Sequence, residues 1–438
     1  MQAQVLQQQQ AIDQLRRQLD DVQRQQRRQA APFRRRKPVA NPKRPGRPAG
    51  HLPAHRPPPT PDQIDTTLAA PLPACPHCHG PLDDRTVHVQ YQTDIPPVQP
   101  LITQFNIEAG YCPHCQCHVQ GRHPEQTSDA VGAAANQLGP RVLAFAADLK
   151  HRLGVPYRKI ITILDEYFGL SACHAALVRG CERLARLGFP TFISLIGDLR
   201  DSRVVHTDDT GWRIGGHNAW LWVFSGAPGT VYLVTPSHGH EVPAVILGPD
   251  FQGYMVCDGA KAFDPLEYLK SRCLGHILRR CADLRETLSA REAADVQCLQ
   301  ALLREAIDLG QRRDALTAAG YARRRQEMEN RLDDWLHAPR RQVSPELDRL
   351  ITHLCAHRGE WFVFLEEPDV PPTNNHAEQM LRPAVISRKI GGCNKTESGA
   401  VTHSILSSIL VTAQRLGQCF VSWVTQCLRG ATLQPQPP

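Results

Sequence analysis

The chain has 438 residues, of which 41% are hydrophobic and 21% are charged, and these values are typical of a soluble globular protein. It contains no run of about 18 apolar residues, which excludes an obvious membrane-spanning helix. Because the glutamine-rich start is followed by no apolar stretch, we expect a cytoplasmic protein without a secretory signal. The net charge is +7, yet residues 1–60 carry thirteen Lys and Arg against three Asp. This basic arm predicts a polyanionic partner, with a solvated tail as the alternative.

The first 73 residues are expected to lie outside the packed core. Residues 1–30 have a helical composition with apolar residues near heptad spacing, which fits a short coiled coil or an unpaired helix. Residues 31–73 are rich in proline and basic side chains and predict an extended linker. Within it, residues 43–48 resemble an AT-hook core in which Arg47 would enter a narrow minor groove. Pro45 stands where an Arg is usual, so a plain tether is the favoured interpretation.

Two nearly identical Cys-Pro-His-Cys segments predict a zinc-ribbon-like domain over residues 74–120. Each segment places two thiolates on one side of a tight turn, and together they complete a tetrahedral Zn²⁺ site. The predicted ligands of this one structural zinc ion are Cys75, Cys78, Cys112 and Cys115. The alternative is two unrelated pairs of buried thiols.

The residues around the four cysteines leave two further points open. Nearby side chains that could replace a cysteine ligand are His79, His114, Cys117 and His118. Residues 87–91 and 101–107 have strand-like patterns and are expected to form the ribbon. Because a site closed by four sulfurs has no open position, we expect a structural role and no catalysis there.

Residues 128–200 have apolar residues at helical spacing and predict a helical DNA-binding or connecting domain. Gly154 and Pro156 separate two of the helices. Residues 157–187 could hold a helix-turn-helix that is interrupted at Gly169, with Ser171 capping the second helix. An ordinary helical pair is slightly favoured.

From residue 203 onward the pattern changes to short β-rich runs and then to charged helices. Glycine-containing turns such as Gly215-Gly216 separate the runs. The predicted strands are 203–206, 219–224, 230–234 and 253–257, and the predicted helices are 241–247, 282–366 as a helical stretch, 376–390 and 400–416.

Three isolated acidic residues lie at the ends of the predicted strands or in the first turn of a predicted helix. Asp208 ends the apolar run that starts at residue 204, Asp258 ends the run 253–257, and Glu378 lies in the first turn of a helix. Phosphoryl transfer on DNA uses two divalent cations about 3.5–4 Å apart, and hard cations such as Mg²⁺ prefer carboxylate oxygens. Each acid also has a purely structural interpretation. Asp208 and Asp258 could form turns, and Asn375 with Glu378 has the spacing of a capping box.

At this point the sequence resembles the insertion sequence 66 family of bacterial transposases, over about residues 45–420. The motifs that carry the resemblance, in order, are the two Cys-Pro-His-Cys segments, His206 to Thr210 followed by Trp220 to Val223, Asp258-Gly259, Cys273 and His276 with Arg279-Arg280, and Asn374 to Glu378 with Arg388-Lys389. Asp209 departs from the pattern, since Glu is usual there, and this leaves open which neighbouring acid is the ligand. We keep Asp208.

The resemblance implies an α/β ribonuclease-H-like catalytic core over residues 201–420, with a mixed sheet, flanking helices and a helical insertion at 282–366, followed by a tail at 421–438. It implies that Asp208, Asp258 and Glu378 form a catalytic triad that binds two Mg²⁺ or Mn²⁺ ions. His276 could orient a phosphate or a metal-bound water, and Arg388 or Lys389 could clamp a DNA phosphate. The alternatives are a structural histidine and solvated helix charges.

The function that follows is metal-dependent strand cleavage and strand transfer by a transposase that binds transposon ends. The expected partners are double-stranded DNA as ends and target, a second copy of the chain in a dimer or larger assembly, and accessory proteins. Two rival classes remain at this stage. One is a catalytically inactive zinc-containing DNA-binding regulator, and the other is a non-transposing nuclease on the same fold.

Overall fold

The computed structural model describes Gly50 and residues 55–430, which fall into two units, Met1–Pro97 and Val98–Pro438. The predictions for residues 1–30 and for Arg47 lie outside the described residues. In the described part of the first unit, the regular structure is one short 3₁₀ helix, Pro61–Gln63. None of the helices in the described residues is both long and apolar enough to span a bilayer.

The second unit begins with a small antiparallel hairpin. Strands β1 (Ala109–Cys112) and β2 (Cys117–Gln120) pair Cys112 with Cys117 and carry the second Cys-Pro-His-Cys segment between them. Strands predicted at 87–91 and 101–107 are absent, so those two predictions are wrong. The side chains of Val87 and Leu101 are exposed, so these apolar residues have no packed face to specify a strand register.

Three helices follow: α1 (Pro140–His151), α2 (Tyr157–Phe168) and α3 (His174–Arg200). Gly169 ends α2 in the left-handed conformation, which is the usual helix-stopping role of glycine. The N-cap of α3 is Cys173, so the prediction that Ser171 caps it is wrong. The helix α3 continues through Pro190 and packs its buried side against the sheet described next.

The central element is a five-stranded mixed sheet. Its strands are β3 (Val204–Ile214), β4 (His217–Ser225), β5 (Thr230–Thr235), β6 (Tyr254–Cys257) and β7 (Leu269–Arg272), with helix α4 (Glu241–Leu247) between β5 and β6. The spatial order is β5-β4-β3-β6-β7; the pairs among β5, β4 and β3 are antiparallel, and β3-β6 and β6-β7 are parallel. The glycine turn at Gly215-Gly216 joins β3 to β4, as predicted.

Both faces of the sheet are covered by helices. On strand β4, Trp222 and Phe224 pack against α3 and its neighbours, while Leu221 and Val223 face the opposite layer. Successive side chains of a strand point to opposite faces, so a continuous apolar run such as 219–224 suits a strand that is buried on both sides.

The chain after β7 is helical. It forms α5 (Leu274–Leu284), α6 (Ala290–Gln311), α7 (Ala318–His337), α8 (Pro345–Ala356), α9 (Val363–Glu366), α10 (Asn375–Gly391), α11 (Glu397–Arg415) and α12 (Phe420–Arg429). Helices α5 to α9 share a hydrophobic core of their own, from Leu274 to Leu365. The helix α12 buries Val424, Cys427 and Leu428, so the prediction that residues 421–438 are only a tail is wrong for its first part.

Helix α11 completes the edge of the sheet. The hydroxyl oxygens of Ser404, Ser408 and Thr412 accept hydrogen bonds of 3.0, 2.8 and 2.9 Å from backbone N–H groups of the edge strand β5. These three residues lie four apart and therefore share one helix face. Their hydroxyl groups satisfy backbone donors that an uncovered edge strand would expose.

Candidate functional site

The register of two parallel strands brings the first two predicted acids together. Strand β3 pairs with β6 through His206 opposite Val256, and two residues further along each chain stand Asp208 and Asp258. The prediction that Asp208 ends its strand is wrong, because β3 continues to Ile214 as the partner of β4. The strand that ends beside Asp208 is its parallel neighbour β6, so β3 has no β6 partner beyond this point.

Asp258 directly follows β6, as predicted. Its Oδ1 accepts a hydrogen bond of 2.8 Å from the backbone N–H of Ala260, so the carboxylate also stabilises the turn that leaves the strand. The turn interpretation therefore does not exclude the ligand interpretation, since an ionised carboxylate offers about four acceptor sites.

The third acid is brought to the sheet by Asn374, the N-cap of α10. Its amide Nδ2 donates a 2.7 Å hydrogen bond to the carbonyl oxygen of Thr207, and its Oδ1 lies 3.2 Å from Nδ1 of His206. Asn374 is 0% exposed. Because the N-cap is Asn374 and its side chain bonds to β3, the capping-box alternative for Asn375 and Glu378 is wrong.

The pKa of Asp208 shows that the charges of nearby acids act on this carboxyl group. Burial and, next, the negative charge of Asp258 raise the pKa of Asp208 to about 7, with Asp209 and Glu378 adding to the effect. The backbone N–H of Asp209, at 2.8 Å from Asp208 Oδ1, opposes the shift. Asp208, Asp258 and Glu378 therefore belong to one electrostatic group.

Asp209 has a hydrogen-bond partner of its own. Its carboxylate lies 3.1 Å from Nε2 of His238, whose ring stacks on Trp220 with centroids 4.9 Å apart. Burial raises the pKa of Asp209, His238 opposes that rise, and the charge of Asp258 adds to it. Neighbouring residues of a strand point to opposite faces, so the carboxylates of Asp208 and Asp209 leave β3 in different directions.

Glu378 is surrounded by groups from helix α5. The guanidinium of Arg279 donates a 2.8 Å hydrogen bond to its Oε1, and Nε2 of His276 lies 3.8 Å from the same oxygen. Burial and the charge of Arg279 lower the pKa of His276, while Asp258 and Glu378 oppose this shift. His276 therefore lies within the electrostatic reach of two of the three acids.

The two predicted phosphate contacts on α10 differ in their surroundings. Nη1 of Arg388 donates to the carbonyl oxygen of Gly211 and, at 3.2 Å, to the hydroxyl of Thr210. The solvated-charge alternative for Arg388 is therefore wrong, since its guanidinium anchors α10 to strand β3. Lys389 is the next residue and is exposed.

His353 is a residue near the site that sequence reasoning missed. A Cβ placed on Gly259 would lie 3.0 Å from its Nε2, so this side chain of α8 covers the residue after Asp258. Burial, and then the charges of His357, Arg272 and Arg280, lower the pKa of His353 to about 4. No local pattern marks a histidine 95 positions away from Asp258.

Each Cys-Pro-His-Cys segment forms a tight turn within its own unit. Backbone N–H groups of Cys78 and His77 lower the pKa of Cys75, and the corresponding groups of Cys115 and His114 lower the pKa of Cys112. Stabilisation of a thiolate is what a zinc ligand requires. The site built from both pairs stays a prediction from the sequence.

The comparison with known proteins gives the chain its family. A sequence model described as the IS66 transposase family matches residues 135–402, more than half of the chain and all three acids of the group. The chain belongs to the IS66 family of transposases. This match favours neither the inactive regulator nor the non-transposing nuclease.

One curated protein resembles this IS66-family chain over a shorter stretch. The uncharacterized protein y4jO of Sinorhizobium fredii is 33% identical over 75 residues, which are 17% of this chain and 23% of that protein. The match thus spans about a quarter of the relative's length.

Proposed function

We propose that this protein is a metal-dependent DNA transposase that cleaves phosphodiester bonds and transfers strands, with Asp208, Asp258 and Glu378 as its catalytic ligands for Mg²⁺ or Mn²⁺. The observation that supports the proposal is that the charges of Asp258, at the end of β6, and Glu378, in the first turn of α10, both raise the pKa of Asp208 on β3. Carboxylates near enough to influence one another are what the chemistry requires of residues so distant in sequence.

The residues suit a hard divalent cation. Three carboxylate groups supply only oxygen donors, which Mg²⁺ prefers. The pKa of Asp208, raised to about 7 by burial and Asp258, indicates that the group lacks positive charge to balance it fully. When bound, two such cations would activate the attacking oxygen and stabilise the leaving one.

Residues of this chain would hold the acids and the DNA in place. Asn374 fixes the start of α10 relative to Thr207 on β3, so it is a positioning residue for Glu378. His276 would orient a phosphate next to Glu378, and Lys389 would add a charge-assisted contact to the DNA backbone. Arg388 would act chiefly by holding α10 against the sheet.

The mixed sheet is compatible with a ribonuclease-H-like core, and we propose that fold for residues 201–420, interrupted by the helical insertion at 282–366. We further propose that the four cysteines bind one structural Zn²⁺ and that the helices at 128–200 and the basic arm, including Arg47, contact transposon ends. A dimer or larger assembly would join two ends, with accessory proteins and a nucleoid-associated cytoplasmic location as further expectations.

Plasmid cleavage with supercoiled DNA that carries the element's ends tests the proposal. We expect nicking and strand-transfer products with Mg²⁺, and at least a 100-fold loss for Asp208→Asn, Asp258→Asn and Glu378→Gln. Asp250→Asn, at an exposed position away from the acids, is the matched control. Cleavage by Asp258→Asn at the parent rate would rule out the triad.

A further inference from the structure

A second set of potential metal ligands, with different donor atoms, shares Glu378 with the group formed by Asp208, Asp258 and Glu378. Cys273, His276 and Glu378 each offer one ligand atom, and these atoms all lie within 4.8 Å of one another. Cys273 is the N-cap of α5 and His276 is in its first turn. A spacing of three residues puts both on one helix face.

The surrounding contacts fix this arrangement. The backbone N–H of Asn374 donates to Sγ of Cys273 at 3.1 Å, which joins the start of α5 to the start of α10. Cys273 is 2% exposed, whereas His276 and Glu378 keep partial access to solvent. An ion could therefore enter from the side of the imidazole and the carboxylate.

The donor set distinguishes between classes of cation. A sulfur, an imidazole nitrogen and a carboxylate suit Zn²⁺ or Co²⁺, whereas Mg²⁺ takes oxygen ligands. Three protein ligands with a fourth position open to water are also a common zinc arrangement. Glu378 is the only residue shared with the group of three acids.

We propose that Cys273, His276 and Glu378 form a binding site for a zinc-class cation, and that occupation of this site withdraws Glu378 from Asp208 and Asp258. Zinc would then inhibit Mg²⁺-dependent cleavage. Arg279, which holds Glu378 at 2.8 Å, would be displaced from Oε1 by the incoming cation. The inhibition rests on the proposed function, but the binding does not.

Cobalt spectroscopy of the full-length chain tests the binding. Purified protein is titrated with Co²⁺, and the near-ultraviolet charge-transfer band of cobalt–thiolate bonds is recorded. The four cysteines of the two Cys-Pro-His-Cys segments, here called the knuckle cysteines, contribute equally to all variants. The difference between the parent and Cys273→Ser therefore reports the new site. Cys281→Ser is the control, because it removes another buried thiol from the same helix.

We expect Cys273→Ser to lose about one equivalent of cobalt-dependent absorbance, His276→Gln to weaken binding at least tenfold, and Cys281→Ser to match the parent. Equal spectra for the parent and Cys273→Ser, with the variant folded by circular dichroism, would overturn the site.

Zinc inhibition tests whether occupation of the site withdraws Glu378 from Asp208 and Asp258. For each protein, cleavage with Zn²⁺ is compared with cleavage by the same protein without Zn²⁺. Increasing Zn²⁺ at constant Mg²⁺ should reduce parental cleavage at least tenfold and that of Cys273→Ser less than twofold. Equal zinc inhibition of both would overturn the link to Glu378. If the parent cleaves no DNA under any condition, the proposed function fails while the cobalt titration still decides the site.

Discussion

The side-chain amide of Asn374 donates a 2.7 Å hydrogen bond to the carbonyl oxygen of Thr207, the residue before Asp208. This one bond joins strand β3 to the N-cap of the helix that carries Glu378. It therefore links the two chain segments that carry Asp208 and Glu378, which are 170 positions apart in the sequence.

Asn374→Ala should destabilise the protein and reduce cleavage together. The substitution leaves the Thr207 carbonyl without its partner, and an unsatisfied buried group costs about 1–3 kcal/mol. Thermal unfolding monitored by circular dichroism and the cleavage assay measure the two effects. Asn330→Ala, in the exposed middle of α7, is the control. A fully stable Asn374→Ala protein would contradict the prediction.

Asp208→Asn should stabilise the metal-free protein at alkaline pH. The pKa of Asp208 is raised to about 7 in the folded chain, against about 3.9 in the unfolded chain. The protonated form is thus favoured by folding, and its contribution is complete below about pH 4 and lost as the pH rises to about 7.

Melting temperatures in EDTA check this prediction. The variant should exceed the parent at pH 8 and match it at pH 4, whereas Asp250→Asn should show no such trend. Mg²⁺ should raise the melting temperature of the parent at pH 8 and that of Asp208→Asn far less. A variant that melts below the parent at pH 8 would speak against the crowding of the acids.

Acidification should weaken the packing of α1 against α11. His151 and His403 are both buried, with their Nδ1 atoms 3.3 Å apart and Trp212 stacked on His403. Burial lowers the pKa of His403 to about 3 and, with help from His403 and Lys150, also lowers that of His151.

A histidine with a depressed pKa contributes stability that is complete above its unfolded value, about 6.5, and lost as the pH falls towards the folded value. The melting temperature of the parent should therefore drop between about pH 6.5 and 4. His403→Gln should show a shallower drop, and His337→Gln, at an exposed position, should follow the parent. Identical slopes for all three would disprove the role of the pair.

Gly259→Ala should impair cleavage through a single contact. The added Cβ would lie 3.0 Å from Nε2 of His353, so the imidazole or the backbone next to Asp258 would have to shift. We expect a several-fold loss that the double variant Gly259→Ala/His353→Ala recovers. Gly197→Ala, which meets nothing within 4 Å, is the control. A loss that persists in the double variant would place its cause elsewhere.

The four knuckle cysteines should together bind one zinc ion per chain. Metal analysis of protein purified without added metal should give one equivalent for the parent and none for Cys75→Ser or Cys112→Ser, since each removes one of four ligands. Cys173→Ser, at an exposed position outside the knuckles, should keep its zinc. Retention of zinc by both knuckle variants would exclude the four-sulfur site.

Local patterns in the sequence predicted much of the regular structure. The strand at 219–224 and the helices after residue 282 follow from apolar periodicity. Gly169 marks the end of α2, and Gly215-Gly216 marks the turn between β3 and β4. Asp258 and Glu378 each stand alone at the boundary of such an element, and for this reason the sequence singles them out as candidate ligands. The resemblance to the IS66 family, which the comparison confirmed, rested on the order of these short motifs.

Only the tertiary structure decided how these pieces meet. The apolar pattern predicts that the first strand ends before Asp208. The strand is longer because β4 continues to pair with β3 beyond the last residue paired with β6, and a local pattern does not reveal this pairing. The hydroxyl groups of α11 on β5, the amide of Asn374 on Thr207 and His353 over Gly259 join residues far apart along the chain. Periodicity records which face of an element is buried, whereas such contacts depend on which element covers that face, and that is set by packing of the whole chain.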